Sequence, residues 1–272
     1  MKFELISNQE KASKRTTSRD GCYEFDAPKG STVCYHQPIY EQPFSNLQFA
    51  IHDGNTLEKL QGRYYKIESN GGYLHQYYPA VEYYKIVYRM IRDNIHTIRL
   101  SLEEIDSSQR AIEDIHKEKK EKLPSGQTKI SFDKEIYQLR ASIFTFVFSV
   151  RATLDTIASL FQTIYGLQIG QHTSFNGLMR HMIGEKCAVK DTVLTDYLKH
   201  NMEWFVLLRD VRDYMAHFGS VHFSIRESES GTMSVEIFRG LEINNFIKTV
   251  HAGFQELLIF LDGHCTNVVK HA

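Results

Sequence analysis

In most of this chain, apolar residues recur every three or four positions, which is the spacing of an α-helix that buries one face. The first such stretch predicts a helix over residues 74–121, with a kink or a preceding turn at Pro79 as the alternative. The second predicts a helix from Phe132 to Tyr165 that ends at Gly166. The apolar stripe of the second helix consists of Ile143, Val147, Val150, Leu154, Ile157 and Phe161. A neighbouring stripe consists of Phe144, Phe148, Arg151, Asp155 and Ala158. A helix that is apolar on more than one side is expected at the centre of a bundle.

The C-terminal half continues the helical pattern. A short helix is predicted around residues 174–183, and Asp191 or Thr192 is predicted to cap a helix that runs to about His217. Gly219 occupies the position of a C-cap glycine, and a final helix is predicted over about 242–269. Four long helices of this kind bury each other's apolar stripes, so the predicted fold class is mainly α, a helical bundle.

Two regions depart from the helical period. Residues 221–226 and 233–238 alternate apolar and polar positions around a turn that contains Gly231, which predicts a β-hairpin at 221–238. Residues 1–72 hold three of the five prolines and include two short strand-like pieces, Leu47–Ile51 and Tyr64–Ile67. We therefore predict an irregular N-terminal lobe with short strands over 1–72 and a helical bundle over 73–272.

Composition narrows the classes of function. Of the 272 residues, 42% are hydrophobic and 24% are charged, which is typical of a globular protein, and the net charge is −1. A chain with this charge would act on RNA through a local site, because it lacks the basic excess of a general nucleic-acid scaffold. The most apolar stretch carries Arg151 and Asp155 near its middle, which argues against a membrane span.

The cysteines and the N-terminus indicate the compartment. Residues 1–20 are polar and charged, so no secretory signal is predicted, and the four cysteines form no CxxC pair. We expect a cytoplasmic protein with free thiols. Cys22, Cys34 and His36 come nearest to a metal-binding spacing, but structural zinc sites use closely spaced ligand pairs. The sequence therefore predicts no metal and no cofactor.

The segment from Arg209 to His217 carries the candidate chemistry. At about 100° per residue, Arg212 falls on the apolar face of its helix, where a permanent cation is costly unless an anion or a hydrogen-bond acceptor meets it. Asp213 and His217 are four residues apart and lie on an adjacent face. His217 is also in the last turn, where the helix dipole favours a positive charge. One short stretch thus offers a cation, a carboxylate and an imidazole.

This set of groups suits RNA cleavage. Attack by a 2′-hydroxyl group on its own phosphate needs a proton acceptor and stabilisation of the growing charge on the phosphoryl oxygens. Histidine, which as a residue type titrates near neutral pH, can accept the proton. Arginine can donate forked hydrogen bonds to phosphate oxygens. This mechanism requires no metal ion.

The segment from Arg212 to His217 is similar to the Arg-polar-x-x-x-His signature of the HEPN superfamily of helical nucleases. The resemblance covers roughly residues 74–270, with the hairpin as an insertion and residues 1–72 outside the core. It implies that Arg212 and His217 are catalytic, that Asp213 is the polar residue after the arginine, and that the product carries a 2′,3′-cyclic phosphate. It also implies a homodimer acting on RNA in a toxin–antitoxin, antiphage or RNA-processing system. An antitoxin, or a nucleotidyltransferase that modifies Tyr214, is the implied partner.

Four further residues are predicted to line the substrate cleft: Arg209, Tyr214, Arg151 and Asp155. Each has a structural alternative, because Arg151 and Asp155 are an i, i+4 pair and Tyr214 can be a packing aromatic. Arg212 can instead form a buried ion pair with Asp155 or with a glutamate on a neighbouring helix, and His217 can simply cap helix carbonyls. The competing function is therefore a non-catalytic module that binds a protein partner or a nucleotide through the same groove.

Overall fold

The structure, a computed structural model, describes residues 15–17, 23–26, 32–35, 44–52, 64–67, 76–118, 121–122, 128–129, 133–169, 172, 174–184, 187–218, 223–227, 233–237 and 240–271. The chain divides into two compact units, Met1–Pro43 and Phe44–Ala272. The division after Pro43 lies upstream of the predicted boundary at residue 72. Within the first unit, β1 (Arg15–Thr17), β2 (Tyr23–Asp26) and β3 (Thr32–Tyr35) form an antiparallel sheet in that order.

The second unit is mainly helical, as predicted. Its helices are α1 (Ser45–His52), α2 (Ala80–Glu118), α3 (Asp133–Tyr165), α4 (Phe175–Ile183), α5 (Thr192–His200), α6 (Glu203–Phe218) and α7 (Ile243–His271). Three two-stranded antiparallel pairs accompany them: β4 (Tyr64–Ile67) with β5 (Gln76–Pro79), β6 (Glu121–Lys122) with β7 (Thr128–Lys129), and β8 (Ser224–Glu227) with β9 (Met233–Glu236). The β8–β9 pair confirms the predicted hairpin.

Helix α3 occupies the centre of the bundle, as its two apolar stripes predict. It packs along α2 and also contacts α4, α6 and α7. Every residue of the predicted main stripe, from Ile143 to Phe161, is buried. The helix ends at Tyr165, and Gly166 follows with a φ of 75°, a left-handed conformation that glycine adopts without steric cost. The predicted C-cap at Gly219 lies outside the described residues.

One helix of the described chain, over Lys134–Tyr165, is long and apolar enough to cross a membrane by length and composition alone. A little over half of its most apolar window is buried inside the bundle. The core helix of a soluble protein passes the same test. This signal is therefore weak, and the fold is compatible with a soluble protein.

The predicted strand at Leu47–Ile51 is wrong, because these residues lie in helix α1. Leu47, Ala50 and Ile51 are buried, and their i, i+3, i+4 spacing fits a helix as well as alternation fits a strand. The first turn is stabilised from far along the chain. Asp262 of α7 accepts hydrogen bonds from the backbone N–H groups of Asn46 at 3.3 Å and Leu47 at 2.9 Å. A carboxylate at a helix N-terminus satisfies donors that the helix itself leaves unpaired.

Two predicted helix boundaries are also wrong. Residues 76–79 form β5 rather than the first turn of α2, because they pair with Tyr64–Ile67, a contact that local periodicity does not reveal. The helix predicted from Asp191 to His217 is two helices, α5 and α6, separated at Asn201. Both the backbone N–H and the side-chain amide of Asn201 donate to the carbonyl of Tyr197, which ends α5.

A close approach of α6 to α7 depends on a glycine. Trp204, the only tryptophan in the chain, lies in the first turn of α6 and is nearly buried. A Cβ atom added at Gly253 of α7 would lie 2.3 Å from the Trp204 ring. The indole therefore packs directly on the backbone of α7. In contrast, a Cβ atom at Gly263 on the same helix would meet no atom of the described residues within 4 Å.

We expect Gly253→Ala to lower the free energy of unfolding by about 1–3 kcal/mol, because overpacking forces the indole out of its position. The matched change Gly263→Ala is expected to raise stability by up to about 1 kcal/mol, because alanine favours the helix. Urea unfolding followed by Trp204 fluorescence measures both changes. Equal effects of the two substitutions would contradict the packing described here.

Candidate functional site

Helix α6 presents Arg212 at the edge of its buried face. Phe205, Leu208, Val211 and Met215 of this helix are buried in the core. The Arg212 side chain keeps 30% of its surface exposed, and its Nη1 atom lies 3.0 Å from Oδ1 of Asp213. The alternative of a sealed ion pair between Arg212 and Asp155 is therefore not what the structure shows. The Arg212 side chain as a whole is half-buried, and its Nε atom is buried.

His217 is exposed in the last turn of α6. It follows Arg212 by five residues, which corresponds to roughly 7.5 Å along the helix axis. In the described part of the chain, Asp213 pairs with Arg212 and makes no hydrogen bond or ion pair with His217. The imidazole is thus exposed near the C-terminal end of α6, about one and a half turns beyond Arg212.

Arg151 of the central helix α3 lies beneath this surface. Its side chain is 10% exposed, and its Nη2 atom lies 3.2 Å from Oδ1 of Asp155, one helical turn further on. The guanidinium carbon lies 5.2 Å from the centre of the Phe205 ring of α6, which is the distance of a cation–π contact. A buried charge needs such partners, because water no longer solvates it.

Asp155 connects this arginine to a third helix. The same Oδ1 atom accepts a hydrogen bond at 2.8 Å from the backbone N–H of Phe175, the first residue of α4. Ser174 completes the N-terminus of α4 by accepting from the N–H of Gly177. The i, i+4 pair of Arg151 and Asp155 therefore has a structural role, since it links α3, α4 and α6.

The structure brings Arg151, Asp155, Arg212 and Asp213 into one electrostatic neighbourhood. Burial lowers the pKa of Arg151, the charge of Asp155 opposes that effect, and the nearby charge of Arg212 lowers the pKa further. The negative charge of Asp213 acts in the opposite direction. Two arginines from neighbouring helices therefore share a partly buried region with two carboxylates.

The other predicted site residues lie on the same helix. Arg209 donates from Nε and Nη2 to Oδ1 of its neighbour Asp210, at 3.2 and 3.0 Å. This pair is largely exposed, with one third of the Arg209 side chain and about half of the Asp210 side chain in solvent. Tyr214 is half-buried. The geometry leaves Arg209 accessible at the surface of α6.

A second polar cluster lies elsewhere in the bundle, and sequence reasoning missed it. The hydroxyl of Tyr165 donates to Oδ2 of Asp191 at 2.5 Å, and Nε2 of His264 lies 2.7 Å from that same oxygen. The Tyr165 hydroxyl and His264 Nε2 are themselves 3.1 Å apart. Asp191 also accepts from the N–H of Leu194 and so caps α5, as predicted. The cap was visible in the sequence, but nothing in the spacing indicated His264.

The Tyr165–Asp191–His264 cluster stabilises the ionised form of its carboxyl group. Burial alone would raise the pKa of Asp191, but hydrogen bonds from His264, Tyr165 and the Leu194 N–H outweigh it and lower the pKa to about 2. For Tyr165, burial and the Asp191 contact raise the pKa well above its usual range. The side chains of His264 and Asp191 are 12% and 11% exposed, so this cluster holds α3, α5 and α7 together from within.

Comparison with known proteins adds no identification: no family model, no curated protein and no solved structure matches this chain. Within the described ranges, no group of three or more His, Cys, Asp or Glu side chains is arranged to hold a metal ion. The candidate set of Cys22, Cys34 and His36 lies outside the residues whose side chains are described. Cys187 and Cys265 are buried free thiols.

We expect Asp191→Asn to lower the free energy of unfolding at neutral pH by about 2 kcal/mol, since its pKa falls from an ordinary 3.8 to about 2 on folding. Because the folded-state pKa is the lower one, this stabilisation is complete above about pH 4 and is lost as the pH falls through about 2. The difference in the free energy of unfolding between wild type and Asp191→Asn, measured by urea unfolding, should therefore become smaller below pH 4. Asp196→Asn, an exposed change on the same helix, is the control. A gap that is independent of pH would contradict the assignment.

Proposed function

We propose that this chain is a HEPN-type endoribonuclease that cleaves RNA through attack of a 2′-hydroxyl group, without a metal ion. Arg212 and His217 are its catalytic residues in this proposal. The observation that carries it is the placement of Arg212, whose side chain remains 30% exposed beside Asp213 and whose Nε atom has no hydrogen-bond partner among the described residues. A guanidinium in that position can still donate hydrogen bonds to a phosphate at the surface.

The proposed roles follow from the chemistry of each group. His217, exposed at the end of α6, accepts the proton of the attacking 2′-hydroxyl group. Arg212 stabilises the negative charge that develops on the phosphoryl oxygens. Asp213 orients the guanidinium of Arg212 through their 3.0 Å contact. As the bond from the 2′-oxygen to phosphorus forms, the bond from phosphorus to the 5′-oxygen breaks, and that oxygen takes up a proton from water or from protonated His217. The products are a 2′,3′-cyclic phosphate and a 5′-hydroxyl end.

The wider biological context is part of the same proposal. The half-buried Arg209 and Tyr214 extend the substrate surface along α6. We propose a cytoplasmic homodimer that serves as a toxin or an antiphage or stress-defence effector, held in check by an antitoxin. A nucleotidyltransferase that modifies Tyr214 is the alternative form of control.

A non-catalytic module is the second candidate function. Two observations favour it: the net charge is −1, and Asp213 already occupies one side of the Arg212 guanidinium. Such a module would bind a protein partner or a nucleotide through the surface around Arg212. It would leave RNA intact, so a cleavage assay separates the two functions.

Purified protein is expected to cleave a mixed RNA pool in the presence of EDTA. Arg212→Ala and His217→Ala should each lower the rate by about a hundredfold or more, because one removes charge stabilisation and the other removes the proton acceptor. Gel analysis of end-labelled RNA measures the rates. Circular dichroism of each variant shows whether the helices persist.

Two substitutions provide matched controls. Arg110→Ala removes an exposed arginine of α2 that is also paired with an aspartate, Asp106, at 2.7 Å. His200→Ala removes an exposed histidine in the last turn of α5. Both controls should retain full activity. Cleavage that disappears with EDTA and returns with a divalent metal, or cleavage that survives both Arg212→Ala and His217→Ala, would contradict the proposal.

A further inference from the structure

Arg151 has hydrogen-bonding capacity that the described residues do not use. Its Nε and Nη1 atoms are buried and have no hydrogen-bond partner among them, while only Nη2 reaches Asp155. The residue as a whole is nine-tenths buried. Leaving buried donors of a charged group unpaired costs free energy, so such donors indicate a position where an acceptor belongs.

Arg212 shows the same deficit from the neighbouring helix. Its Nε atom is buried without a partner in the described part of the chain, and its Nη1 atom lies 3.0 Å from Oδ1 of Asp213. Arg212 lies on the same helix as Phe205, on whose ring the Arg151 guanidinium packs at 5.2 Å, and the charge of Arg212 lowers the pKa of Arg151. Asp155 and Asp213 offset part of the repulsion between these two like charges, and an anion that contacts both guanidinium groups would offset it further. The unused donors of both arginines call for an acceptor, and one bound anion would supply it and also reduce the repulsion between the two charges.

The carboxylates near the two arginines are already committed. Asp155 bonds to Arg151 and to the N-terminus of α4, and Asp213 bonds to Arg212. The N-terminus of α4 is likewise occupied, by Asp155 and Ser174. An incoming anion would therefore meet guanidinium groups rather than a free helix end. The acceptor that matches two planar forks of N–H donors is a phosphate group with several oxygens.

We propose that the guanidinium groups of Arg151 and Arg212 together bind one phosphodiester group of the RNA substrate. This inference rests on the proposed function and deepens it. In the proposed function Arg212 alone contacts the phosphate, and here Arg151 of helix α3 contacts the same phosphate as a second cation. Arg151 provides the buried side of this subsite, held against Phe205 and Asp155. Arg212 provides the side that reaches solvent.

The test measures binding separately from cleavage. The probe is a short, fluorescein-labelled RNA in which every ribose is 2′-O-methylated, so that it keeps its phosphates but cannot be cleaved by 2′-hydroxyl attack. Fluorescence anisotropy gives its affinity for wild-type protein and for Arg151→Lys and Arg212→Lys. Lysine keeps the positive charge, so the general electrostatic attraction to RNA is preserved. It lacks the planar set of N–H donors with which arginine binds two phosphate oxygens at once.

Each lysine variant is expected to bind the probe about tenfold more weakly, which corresponds to roughly 1.4 kcal/mol for lost charge-assisted hydrogen bonds. The double variant should lose less than the product of the two single losses, because both arginines hold the same phosphate. Arg140→Lys is the matched control. Arg140 lies on the same helix, also stacks on aromatic rings, Tyr137 and Phe223, and also has a buried Nε atom without a described partner.

A second variant covers the case in which Arg151→Lys does not fold. The double change Arg151→Met with Asp155→Asn removes the buried charge pair as a unit, while the asparagine oxygen can still accept from Phe175. It should also bind the probe about tenfold more weakly than wild type does.

Three results would overturn the subsite: no binding of the probe by wild type, wild-type affinity in the folded Arg151 variants, or an equal loss in Arg140→Lys. Specific binding of the probe without cleavage of ordinary RNA would instead contradict the nuclease and leave the subsite standing.

Discussion

The buried guanidinium group of Arg151 is the constraint on which this site depends. It lies on the central helix of the bundle, nine-tenths removed from water, where an uncompensated charge would be strongly destabilising. Part of its compensation comes from the face of Phe205 and the carboxylate of Asp155, and that same carboxylate accepts from the first N–H of α4. These contacts fix the position of α6 relative to α3 and α4. The orientation of α6 then determines where Arg212 and His217 meet solvent.

The bundle uses carboxylates repeatedly to attach helices that are distant in sequence. Asp262 of α7 holds the first turn of α1, Asp155 of α3 holds the first turn of α4, and Asp191 caps its own helix while it binds His264. Each of these acids supplies acceptors to N–H groups that a helix leaves unpaired. The apolar stripes bring the helices together, and these polar contacts determine where the helices begin. A rigid frame of this kind can hold a charged pair at its surface in a defined position.

The sequence predicts the parts of this fold that depend on local patterns. The stripe from Ile143 to Phe161, the end of α3 before Gly166, the Asp191 cap and the β8–β9 hairpin all follow from spacing and turn residues. Contacts between distant segments could not be predicted in this way. The pairing of β4 with β5 converted the expected start of α2 into a strand, and Asp262 stabilises a helix where Leu47–Ile51 suggested a strand. For the site, the spacing placed Arg151 beside Asp155, but only the tertiary structure brings Arg151 near Arg212.

The central claim is that α6 presents a cation and an imidazole that promote attack by a ribose hydroxyl group on the adjacent phosphate. An oligonucleotide of 2′-O-methyl residues with a single unmodified ribose tests this directly, because only one 2′-hydroxyl group can attack. Mass spectrometry of the products identifies the new ends. We predict cleavage only on the 3′ side of that ribose, with a 2′,3′-cyclic phosphate on one fragment and a 5′-hydroxyl group on the other. A 3′-hydroxyl and a 5′-phosphate at the cut, or cleavage at a methylated residue, would contradict the claim.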